Sequence, residues 1–397
     1  MEMQETADSS IAELAWVAPA IRGLLANPTG NADMPYDPVI LKGLAGKEAV
    51  VFASSPDRAG QRPPPEIEGL DTPPLYLDIP GNIESATTLR EELDTAFEQY
   101  VAQQGAKPQV ICLRDLGLLY VSEEPTEAGG PLRNKVALVT GAAGAIGHGI
   151  CRGLLDQGCY VAATDLPGER LDNLVQEFAE RVQDRILGVP LDVTDQDSVA
   201  RGFQRVIEAW GGVDIVIVNA GIALVSPLVE MDLAAFQRVE RVNVEGTLLT
   251  ISEAGRLLTL QGTGGDIVLI STKNVFAPGA NFGAYSATKA ASHQLARIAS
   301  LELAPFAIRV NMVAPDAIFS DGQYKSGLWA EVGPDRMKAR GLDEKGLEEY
   351  YHSRNLLKAK VTARHVANAV LFFVTHQTPT TGATIPVDGG LPDATPR

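Results

Sequence analysis

The sequence is poor in cysteine and has no long apolar run. Its 397 residues include only Cys112, Cys151 and Cys159, whose spacing matches neither a metal site nor a disulfide framework. No apolar stretch reaches the ~18 residues of a membrane-spanning helix, and the first ten residues are acidic where a secretory signal is basic. We therefore expect a cytoplasmic protein whose cysteines are reduced core residues.

Basic residues and histidines are scarce as well. Lys and Arg total 33 against 50 Asp and Glu, which gives a formal net charge of −17. This excess of acid disfavours nucleic acid or an anionic membrane surface as the main partner. No histidine precedes His148, so a metal site in the region 1–130 would need carboxylates alone. We expect no metal, no nucleic acid and no membrane partner.

A glycine-rich turn follows a short apolar run near the middle of the chain. The branched residues Val136–Val139 are typical of a strand that is buried on both faces of a parallel sheet. Gly141, Gly144 and Gly147 then allow a tight turn, close approach of a pyrophosphate and close packing of a helix on the strand. Three glycines occur in many loops, so the turn gains weight only from the signals behind it.

The next strand ends on an acid. Cys159–Thr164 leads into Asp165, at the spacing from Gly147 where a dinucleotide-binding fold places the carboxylate that accepts hydrogen bonds from the adenosine ribose. Such an acid repels the 2′-phosphate of NADP, and Leu166 supplies no cation to offset it. We therefore favour NAD over NADP as cofactor.

Strands continue to alternate with helical stretches to the end of the chain. This alternation predicts a Rossmann-type doubly wound parallel α/β sheet. The polar and small residues at its expected carboxyl edge are Asp192, within reach of adenine, Asn219, which can brace the neighbouring strand, and Ala220 and Gly221, which let the backbone lie against a cofactor. A long helix is expected over 231–260 and carries Asn243.

The region before the glycine turn has a different texture. Strands are predicted at Glu48–Ser54 and within Pro108–Val121, and a helix is predicted at Ala86–Gln104. Ser122–Arg133 has the composition of a linker. We expect a small α/β domain over residues 1–130, followed by a cofactor-binding domain over 131–397.

A hydroxyl, a phenol and an amine follow the fifth predicted strand. Tyr285 comes after Thr272 at the start of a helical stretch, and Lys289 lies four positions beyond Tyr285, so the phenol and the amine share a helix face about 5 to 6 Å apart. Lowering a phenol pKa from about 10 to about 7 needs roughly 4 kcal/mol, which an ammonium and an oxidised nicotinamide can supply. Thr272 would orient the substrate oxygen and Tyr285 would transfer the proton. Lys289 would also hold the nicotinamide ribose, and Asn243 would bend its helix around a water that links Lys289 to solvent.

Together these residues resemble the short-chain dehydrogenase/reductase family. The family patterns TGxxxGxG, NAG, helix Asn and Ser-Tyr-Lys fall on the residues named above, with Ala145 for the middle glycine, Thr272 for the serine, and Asp316 after Pro315 where most members have glycine. The resemblance implies a nicotinamide-dependent oxidoreductase acting on CH–OH groups, and a homodimer or homotetramer. The expected cofactor contacts are Gly141, Gly144, Ala145, Ile146, Gly147, Asp165, Leu166, Asp192, Val193, Asn219, Ala220, Gly221, Tyr285, Lys289, Pro315 and Ile318.

A narrower resemblance concerns both halves of the chain. STKNVFAPGANFGAYSATKA, VNMVAPDAIF and TTGATIPVDGG are similar to the dehydrogenase half of bifunctional rhamnulose-phosphate aldolase/short-chain dehydrogenases, and PQVICLRDLGLLYV resembles the end of their class II aldolase half. This implies oxidation of a small hydroxyaldehyde of the lactaldehyde type. Because the front region is short and lacks histidine, the resemblance implies a degenerate, non-catalytic remnant over residues 1–130.

The segment between Asp316 and Leu357 is a candidate lid over the substrate. Its cations either meet a carboxylate or phosphate, or simply face solvent. Lys273 and Asn274, directly after Thr272, and Asp316 are candidate substrate contacts. The aromatic and cationic residues of the segment are Tyr324, Lys325, Trp329, Arg336, Lys338, Arg340, Tyr350, Tyr351, His352 and Arg354.

The sequence thus predicts an NAD-dependent oxidoreductase that acts on an alcohol or carbonyl of a small polar metabolite, such as a hydroxyaldehyde, a polyol or a sugar derivative. Two alternatives stay open. One is a reductase of oxoacyl or other ketone substrates, and the other is a catalytically lapsed NAD-binding sensor or scaffold.

Overall fold

The chain divides into two compact units in a computed structural model that describes residues 2–55, 63–67, 72–79, 86–122, 129–321 and 323–394. Unit 1 comprises Met1–Glu127, Phe203–Val213 and Arg256–Gly264, and unit 2 comprises Ala128–Gly202, Asp214–Gly255 and Gly265–Arg397. Two later segments therefore belong with the front region, which no local sequence pattern indicated. The expected linker, Ser122–Arg133, lies partly outside the described residues.

Unit 1 is built on a small mixed sheet. Its strand order is β3 (Leu41–Leu44), β6 (Gly117–Val121), β5 (Val110–Leu113) and β4 (Leu75–Leu77), with β4 and β5 parallel and the other pairs antiparallel. The expected helix at Ala86–Gln104 and the strands within Pro108–Val121 are confirmed. The elements of the front region are α1 (Glu2–Leu25), β1 (Asn27–Pro28), β2 (Tyr36–Asp37), β3 (Leu41–Leu44), α2 (Lys47–Ala53), β4 (Leu75–Leu77), α3 (Ala86–Gln104), β5 (Val110–Leu113) and β6 (Gly117–Val121).

The strand predicted at Glu48–Ser54 is wrong, because this stretch lies in helix α2. Ala49, Phe52 and Ala53 are buried at helical spacing and pack in one apolar cluster, whereas Val51 is 47% exposed. An apolar run this short fits either element, since a strand and one helical face bury similar residues. Packing against the sheet selects the helix.

Two arginines of unit 1 converge on Gln261. Arg22 is 1% exposed, and it donates from Nε to the carbonyl oxygen of Val39 at 2.7 Å and from Nη1 to Oε1 of Gln261 at 3.1 Å. Arg90 donates from Nη1 to the carbonyl oxygen of Gln261 at 2.6 Å. A Cβ atom at Gly23 would lie 1.8 Å from that same oxygen, so the glycine permits this close packing.

Unit 2 contains a sheet of seven described strands, all parallel. The expected Rossmann-type fold is confirmed. The remaining elements of the chain are β7 (Val136–Thr140), α4 (Ala145–Asp156), β8 (Tyr160–Asp165), α5 (Glu169–Val182), β9 (Ile186–Pro190), α6 (Gln196–Trp210), β10 (Ile215–Val218), α7 (Leu233–Glu240), α8 (Gly246–Gln261), β11 (Gly265–Ile270), α9 (Gly283–Glu302), β12 (Ile308–Pro315), β13 (Ser320–Asp321), β14 (Tyr324–Lys325), α10 (Gly327–Arg340), α11 (Glu344–Arg354), α12 (Ala363–Val374) and β15 (Thr384–Val387).

The strand order of this sheet is β9-β8-β7-β10-β11-β12-β15, so β7 is an interior strand, and every residue of it is buried. The strand order reverses between β7 and its neighbour β10, and ligands of open α/β sheets bind outside the carboxyl ends of the strands at such a point. The glycine turn after β7 is therefore at the position where a ligand is expected. Of the helices in the described ranges, none is both long and apolar enough to cross a membrane.

Candidate active site

The turn between β7 and α4 leaves backbone groups open toward the switch point. Gly141 has φ of +63°, and a Cβ atom there would lie 2.9 Å from the Cα atom of Ala220. A Cβ atom at Gly147 would lie 2.3 Å from the carbonyl oxygen of Gly141. Gly144 precedes α4 and supplies no side-chain cap, so the first amides of that helix are donors available to an anion.

A cavity of about 970 Å³ opens at this turn, within unit 2. Asn243 is the one predicted site residue that does not line it. The predicted residues on its wall are Gly141, Gly144, Ala145, Ile146, Gly147, Asp165, Leu166, Asp192, Val193, Asn219, Ala220, Gly221, Thr272, Lys273, Asn274, Tyr285, Lys289, Pro315, Asp316 and Ile318.

Asp165 is held rigidly at the end of β8. Its carboxylate accepts from the amide of Ala143 at 2.9 Å and from the amide of Leu166 at 2.8 Å. Arg170, which the sequence analysis did not single out, also lines the cavity, and it donates to the carbonyl oxygen of Ala143 at 3.0 Å. The acid and this cation thus flank the same loop.

Asn219 ties β10 to the glycine turn. Its side-chain amide donates to the carbonyl oxygens of Thr140 and Gly141, both at 2.9 Å. The hydroxyl of Thr140 accepts in return from the amides of Asn219 at 2.9 Å and Ala220 at 3.1 Å. These four bonds fix the two strand ends that form the floor of the cavity.

The continuous helix expected over 231–260 is interrupted. A π-helical turn, Arg241–Glu245, separates α7 from α8 and contains Asn243, which is fully buried. The Asn243 side chain exchanges hydrogen bonds with both backbone groups of Ile222, each at 2.9 Å, and donates to the hydroxyl of Thr288 at 3.0 Å. The bonds to Ile222 hold Asn243 against a loop 21 positions earlier in the sequence, a long-range contact that helical periodicity does not reveal.

Thr272, Tyr285 and Lys289 come together at the base of the cavity. All three are buried, and α9 carries both Tyr285 and Lys289. The ammonium of Lys289 donates to the carbonyl oxygen of Ile270 at 2.9 Å. A Cβ atom at Gly221 would lie 3.1 Å from Nζ of Lys289 and 3.1 Å from Oδ1 of Asn243, so Gly221 gives room for both groups.

The electrostatics of this group differ from the expected lowering of the phenol pKa. Burial raises the pKa of Tyr285 to about 12, although a hydrogen bond with Thr272 lowers it; the charge of Asp316 raises it further. Burial lowers the pKa of Lys289 to about 8. The groups of the protein alone thus keep the phenol protonated at neutral pH, because desolvation outweighs the polar contacts.

Asp316 and Arg354 form an ion pair beside Lys273. Nη2 of Arg354 lies 2.8 Å and 3.1 Å from the two carboxylate oxygens of Asp316. Burial lowers the pKa of Lys273, Asp316 raises it, and Arg354 and Arg336 lower it. Two candidate substrate contacts from distant parts of the sequence therefore share one charged environment.

The candidate lid contributes only part of its residues to the cavity. Trp329, Arg336, Arg340, Tyr351 and Arg354 line it. Lys338 is exposed and does not line the cavity. Tyr324, Lys325, Tyr350 and His352 are also absent from its wall.

Some wall residues were missed by the sequence analysis. Gln237, Arg238 and Arg241 precede Asn243 and line the cavity, as does Phe282 before α9. Gln237 and Arg238 precede Arg241 at helical spacing, which could have indicated a shared face, whereas no spacing signal pointed to Phe282.

A histidine anchors the start of the lid to the helix of the glycine turn. His148 in α4 is 1% exposed, with Asp321 of β13 at 2.8 Å from Nδ1 and Glu177 of α5 at 3.2 Å from Nε2. Its ring stacks on Tyr324 at a centroid distance of 3.9 Å. The hairpin β13–β14 is thus held at α4.

Comparisons with known proteins agree with this geometry. A family profile described as short chain dehydrogenase matches residues 135–330. Human L-xylulose reductase is 32% identical over 262 residues, which cover 66% of this chain and 97% of the reductase. The crystal structure of sorbitol-6-phosphate 2-dehydrogenase SrlD from Erwinia amylovora superposes with a TM-score of 0.60 at 28% identity, covering 64% of this chain and 98% of that chain.

A further relative matches a longer part of the chain. The uncharacterized oxidoreductase YuxG of Bacillus subtilis (strain 168) is 35% identical over 305 residues, which cover 76% of this chain and 44% of YuxG. This chain therefore spans less than half the length of that relative. Because the family profile matches and the alignment with L-xylulose reductase covers nearly that whole enzyme, the chain belongs to the short-chain dehydrogenase family.

Proposed function

We propose that this protein transfers a hydride between NAD and an alcohol or carbonyl group of a small polar metabolite, such as a hydroxyaldehyde, a polyol or a sugar derivative. The observation that carries the proposal is the meeting of Thr272, Tyr285 and Lys289 at the base of a cavity that begins at the glycine turn. Proton transfer and dinucleotide binding then occur in one site.

The residues present fit a nicotinamide dinucleotide. The uncapped amides at the start of α4 suit a diphosphate, and Asp165 suits the adenosine ribose. Tyr285 and Lys289 would hold the nicotinamide ribose. When bound, the nicotinamide supplies the hydride acceptor or donor.

Asp165 supports NAD rather than NADP within this proposal. Its carboxylate is fixed by two backbone amides, so it cannot swing away from a 2′-phosphate without losing both bonds. Arg170 donates to Ala143 and to Lys325 through the same nitrogen, which commits that nitrogen to the backbone. Within this proposal, repulsion between the Asp165 carboxylate and a 2′-phosphate favours NAD.

Tyr285 is the proton donor and acceptor of the proposed reaction. With a pKa of about 12 it is a neutral phenol, ready to protonate a forming alkoxide in reduction. Oxidation needs the phenolate, which the hydrogen bond with Thr272 favours and which a positive nicotinamide ring would favour further. Thr272 orients the substrate oxygen, and Asn243 holds the loop at Ile222 behind Gly221.

The substrate class rests on the wall and on the relatives. Cations and aromatic rings, among them Lys273, Arg336 and Trp329, line the cavity, which suits a polar compound better than an acyl chain. Relatives named for L-xylulose and for sorbitol 6-phosphate support a polyol or a sugar derivative.

We propose that residues 1–130 are a non-catalytic remnant of a class II aldolase domain. The corresponding domain is the aldolase half of bifunctional rhamnulose-phosphate aldolase/short-chain dehydrogenases. The match to YuxG covers more of the chain than everything from Lys135 onward, so it reaches into the front region. The contacts of Arg22 and Arg90 with Gln261 give this region a packing role. Self-association as a homodimer or homotetramer is part of the same proposal.

The test is NADH formation, followed by absorbance, with a panel of hydroxyaldehydes, polyols and sugar acids and with NADP in parallel. We expect turnover with NAD, and a loss of about 10²- to 10⁴-fold in kcat for Tyr285→Phe, because general acid–base catalysis is removed. NADH binding, measured by fluorescence titration, should persist in Tyr285→Phe.

Two outcomes would contradict the proposal. NADH binding without turnover of any compound would point to a sensor or scaffold, and turnover that survives Tyr285→Phe would remove the phenol from the mechanism. Preferential turnover of oxoacyl compounds would instead support the alternative reductase.

A further inference from the structure

Resting on the proposed dehydrogenase activity, we propose that the substrate carries an anionic end group, a phosphate monoester or a carboxylate, which binds among Lys273, Arg336, Arg340 and Arg354. We call these four residues the cation cluster. All four line the cavity that holds Thr272 and Tyr285.

The three arginines of the cluster are held side by side by two tyrosines. Nη2 of Arg336 donates to the hydroxyl of Tyr351 at 3.3 Å, and the guanidinium of Arg354 lies over the Tyr351 ring at 4.1 Å. Arg340 lies over the Tyr350 ring at 4.6 Å and donates to its hydroxyl at 3.3 Å. The Tyr350 and Tyr351 rings are 5.5 Å apart, so the three guanidinium groups lie close together.

Aromatic stacking orients these cations without cancelling their charge. Arg336 also lies over the Phe282 ring at 4.7 Å. Of the cluster, Arg354 is paired with Asp316 at 2.8 Å. Within the described part of the chain, neither Arg336 nor Arg340 forms an ion pair with a carboxylate. Among the residues that the structure describes, Asp316 is thus the one carboxylate paired with a member of this group of four cations.

Two arginines of the cation cluster also have hydrogen-bond donors without a partner among the described residues. The Nε atoms of Arg336 and Arg354 are buried, and among the described residues they have no hydrogen-bond partner. Buried donors are normally satisfied, and a planar guanidinium matches carboxylate and phosphate oxygens. An oxyanion is the ligand that would use both the charge and the donors.

The cluster adjoins the reacting groups. Lys273 directly follows Thr272 in the chain, and the charges of Asp316, Arg354 and Arg336 affect its pKa. The charge of Asp316 also raises the pKa of Tyr285. A substrate that placed its hydroxyl at Thr272 and Tyr285 would therefore present its other end to the cluster within the same cavity.

The experiment compares a neutral polyol, the corresponding sugar phosphate and the corresponding sugar acid in wild type, Arg336→Gln and Lys338→Gln. Lys338 lies on the same helix, α10, but is exposed and away from the cavity, so Lys338→Gln is a matched loss of one charge. We expect Arg336→Gln to lower kcat/KM by about 10- to 100-fold for the anionic compounds, because hydrogen bonds to charged groups are strong. The neutral polyol should change less than about threefold, and Lys338→Gln should resemble wild type.

A binding measurement separates this proposal from the proposed activity. Inorganic phosphate should raise the thermal unfolding temperature of wild type and of Lys338→Gln, and raise it less in Arg336→Gln, whether or not any substrate is turned over. Arg336→Lys retains the charge but not the planar fork, so it should recover part of the phosphate effect. This variant also serves if Arg336→Gln folds poorly.

The sugar phosphate and sugar acid arms decide which oxyanion is bound, since the preferred one shows the larger loss in Arg336→Gln. The proposal is overturned if Arg336→Gln affects neutral and anionic compounds equally, or if phosphate stabilises all variants alike. A weakening of NADH binding in Arg336→Gln that accounts for the lost activity would also overturn it, because the cluster would then hold the cofactor.

Discussion

Arginine has opposite surroundings in the two units. In unit 1, Arg22 and Arg90 donate to neutral oxygens, the carbonyl of Val39 and the side chain and carbonyl of Gln261. In unit 2, Arg336 and Arg340 lie across aromatic rings on the wall of a cavity. Arginine side chains thus stabilise packing in unit 1, whereas in unit 2 they line a candidate ligand cavity.

The difference shows that burial alone does not identify a binding cation. Arg22 is more buried than any arginine of the cation cluster, yet the contacts described above are with groups of its own unit. What distinguishes the cluster is that Arg336 and Arg340 stack on aromatic rings beside an open cavity, and that buried Nε donors of Arg336 and Arg354 have no partner among the described residues. Partner chemistry is therefore the better criterion, and the following experiments test it.

The largest effect is expected from Arg22→Met. The substitution leaves the carbonyl of Val39 and Oε1 of Gln261 without these donors in a buried place, which should lower the free energy of unfolding by about 3 kcal/mol. Urea unfolding followed by circular dichroism measures it. The kcat/KM of the best substrate at 25 °C should stay within about threefold of wild type, since Arg22 lies outside the cavity.

Arg22→Lys is the matched variant, because it retains a charge and loses the fork. If Arg22→Met unfolds like wild type but loses activity, the comparison between the units fails.

A smaller effect concerns Lys289, a buried cation of unit 2 that donates to a neutral carbonyl as Arg22 does. Burial lowers the pKa of Lys289 to about 8, from 10.5 in an exposed chain. Between these values the folded protein has released the proton while the unfolded chain still binds it, so the free energy of unfolding rises with pH. From pH 7 to 9.5 this contribution should grow by about 2 kcal/mol.

The measurement is the difference in unfolding free energy between wild type and Lys289→Met at the two pH values, which cancels groups common to both proteins. Tyr285, with its pKa raised to about 12, adds no slope below about pH 9, where both states keep the phenolic proton, and its contribution at pH 9.5 cancels because both proteins contain Tyr285. Above pH 10 the unfolded phenol ionises first, and stability falls. An unchanged difference between pH 7 and 9.5 would mean that Lys289 is solvated.

The smallest effect is expected from Arg90→Gln. Arg90 donates to the carbonyls of Leu260 and Gln261 at the end of α8 and pairs with Asp94, with a quarter of its side chain exposed. A partly exposed cation at a helix C-terminus contributes about 1 kcal/mol. Urea unfolding at 50 mM and at 1 M salt checks this, since the loss should shrink at high salt. A loss as large as that of Arg22→Met would contradict the ranking.

The sheet of unit 2 was predictable because its determinants are local. Branched residues buried on both faces, followed by Gly141 and Gly147, specify β7 and its turn within a dozen positions. The residues predicted for the site were chosen by their order along the strands, and all of them except Asn243 line one cavity. By contrast, the assignment of 203–213 and 256–264 to unit 1 depends on contacts far apart in sequence, for which no local pattern exists.

The remaining errors have physical causes of the same kind. Arg238 and Arg241 are cations on a helix and look like any solvated face until the cavity is known. The π-helical turn contains Asn243, whose hydrogen bonds go to Ile222, far away in sequence. The raised pKa of Tyr285 depends on burial, which a spacing of four positions to Lys289 does not report.

The segment that carries the three arginines of the cation cluster is held by a polar side-chain contact at each end. Asp321, at the start of the segment, contacts His148, and Arg354, at its end, forms an ion pair with Asp316. Neither of these two contacts involves the rings or guanidinium groups of α10. The residues between the two contacts can therefore be substituted, or the whole segment exchanged, while the glycine turn keeps its geometry. Substitutions in such a segment can change the substrate with little effect on cofactor binding. It is therefore the segment to randomise when a different substrate specificity is sought.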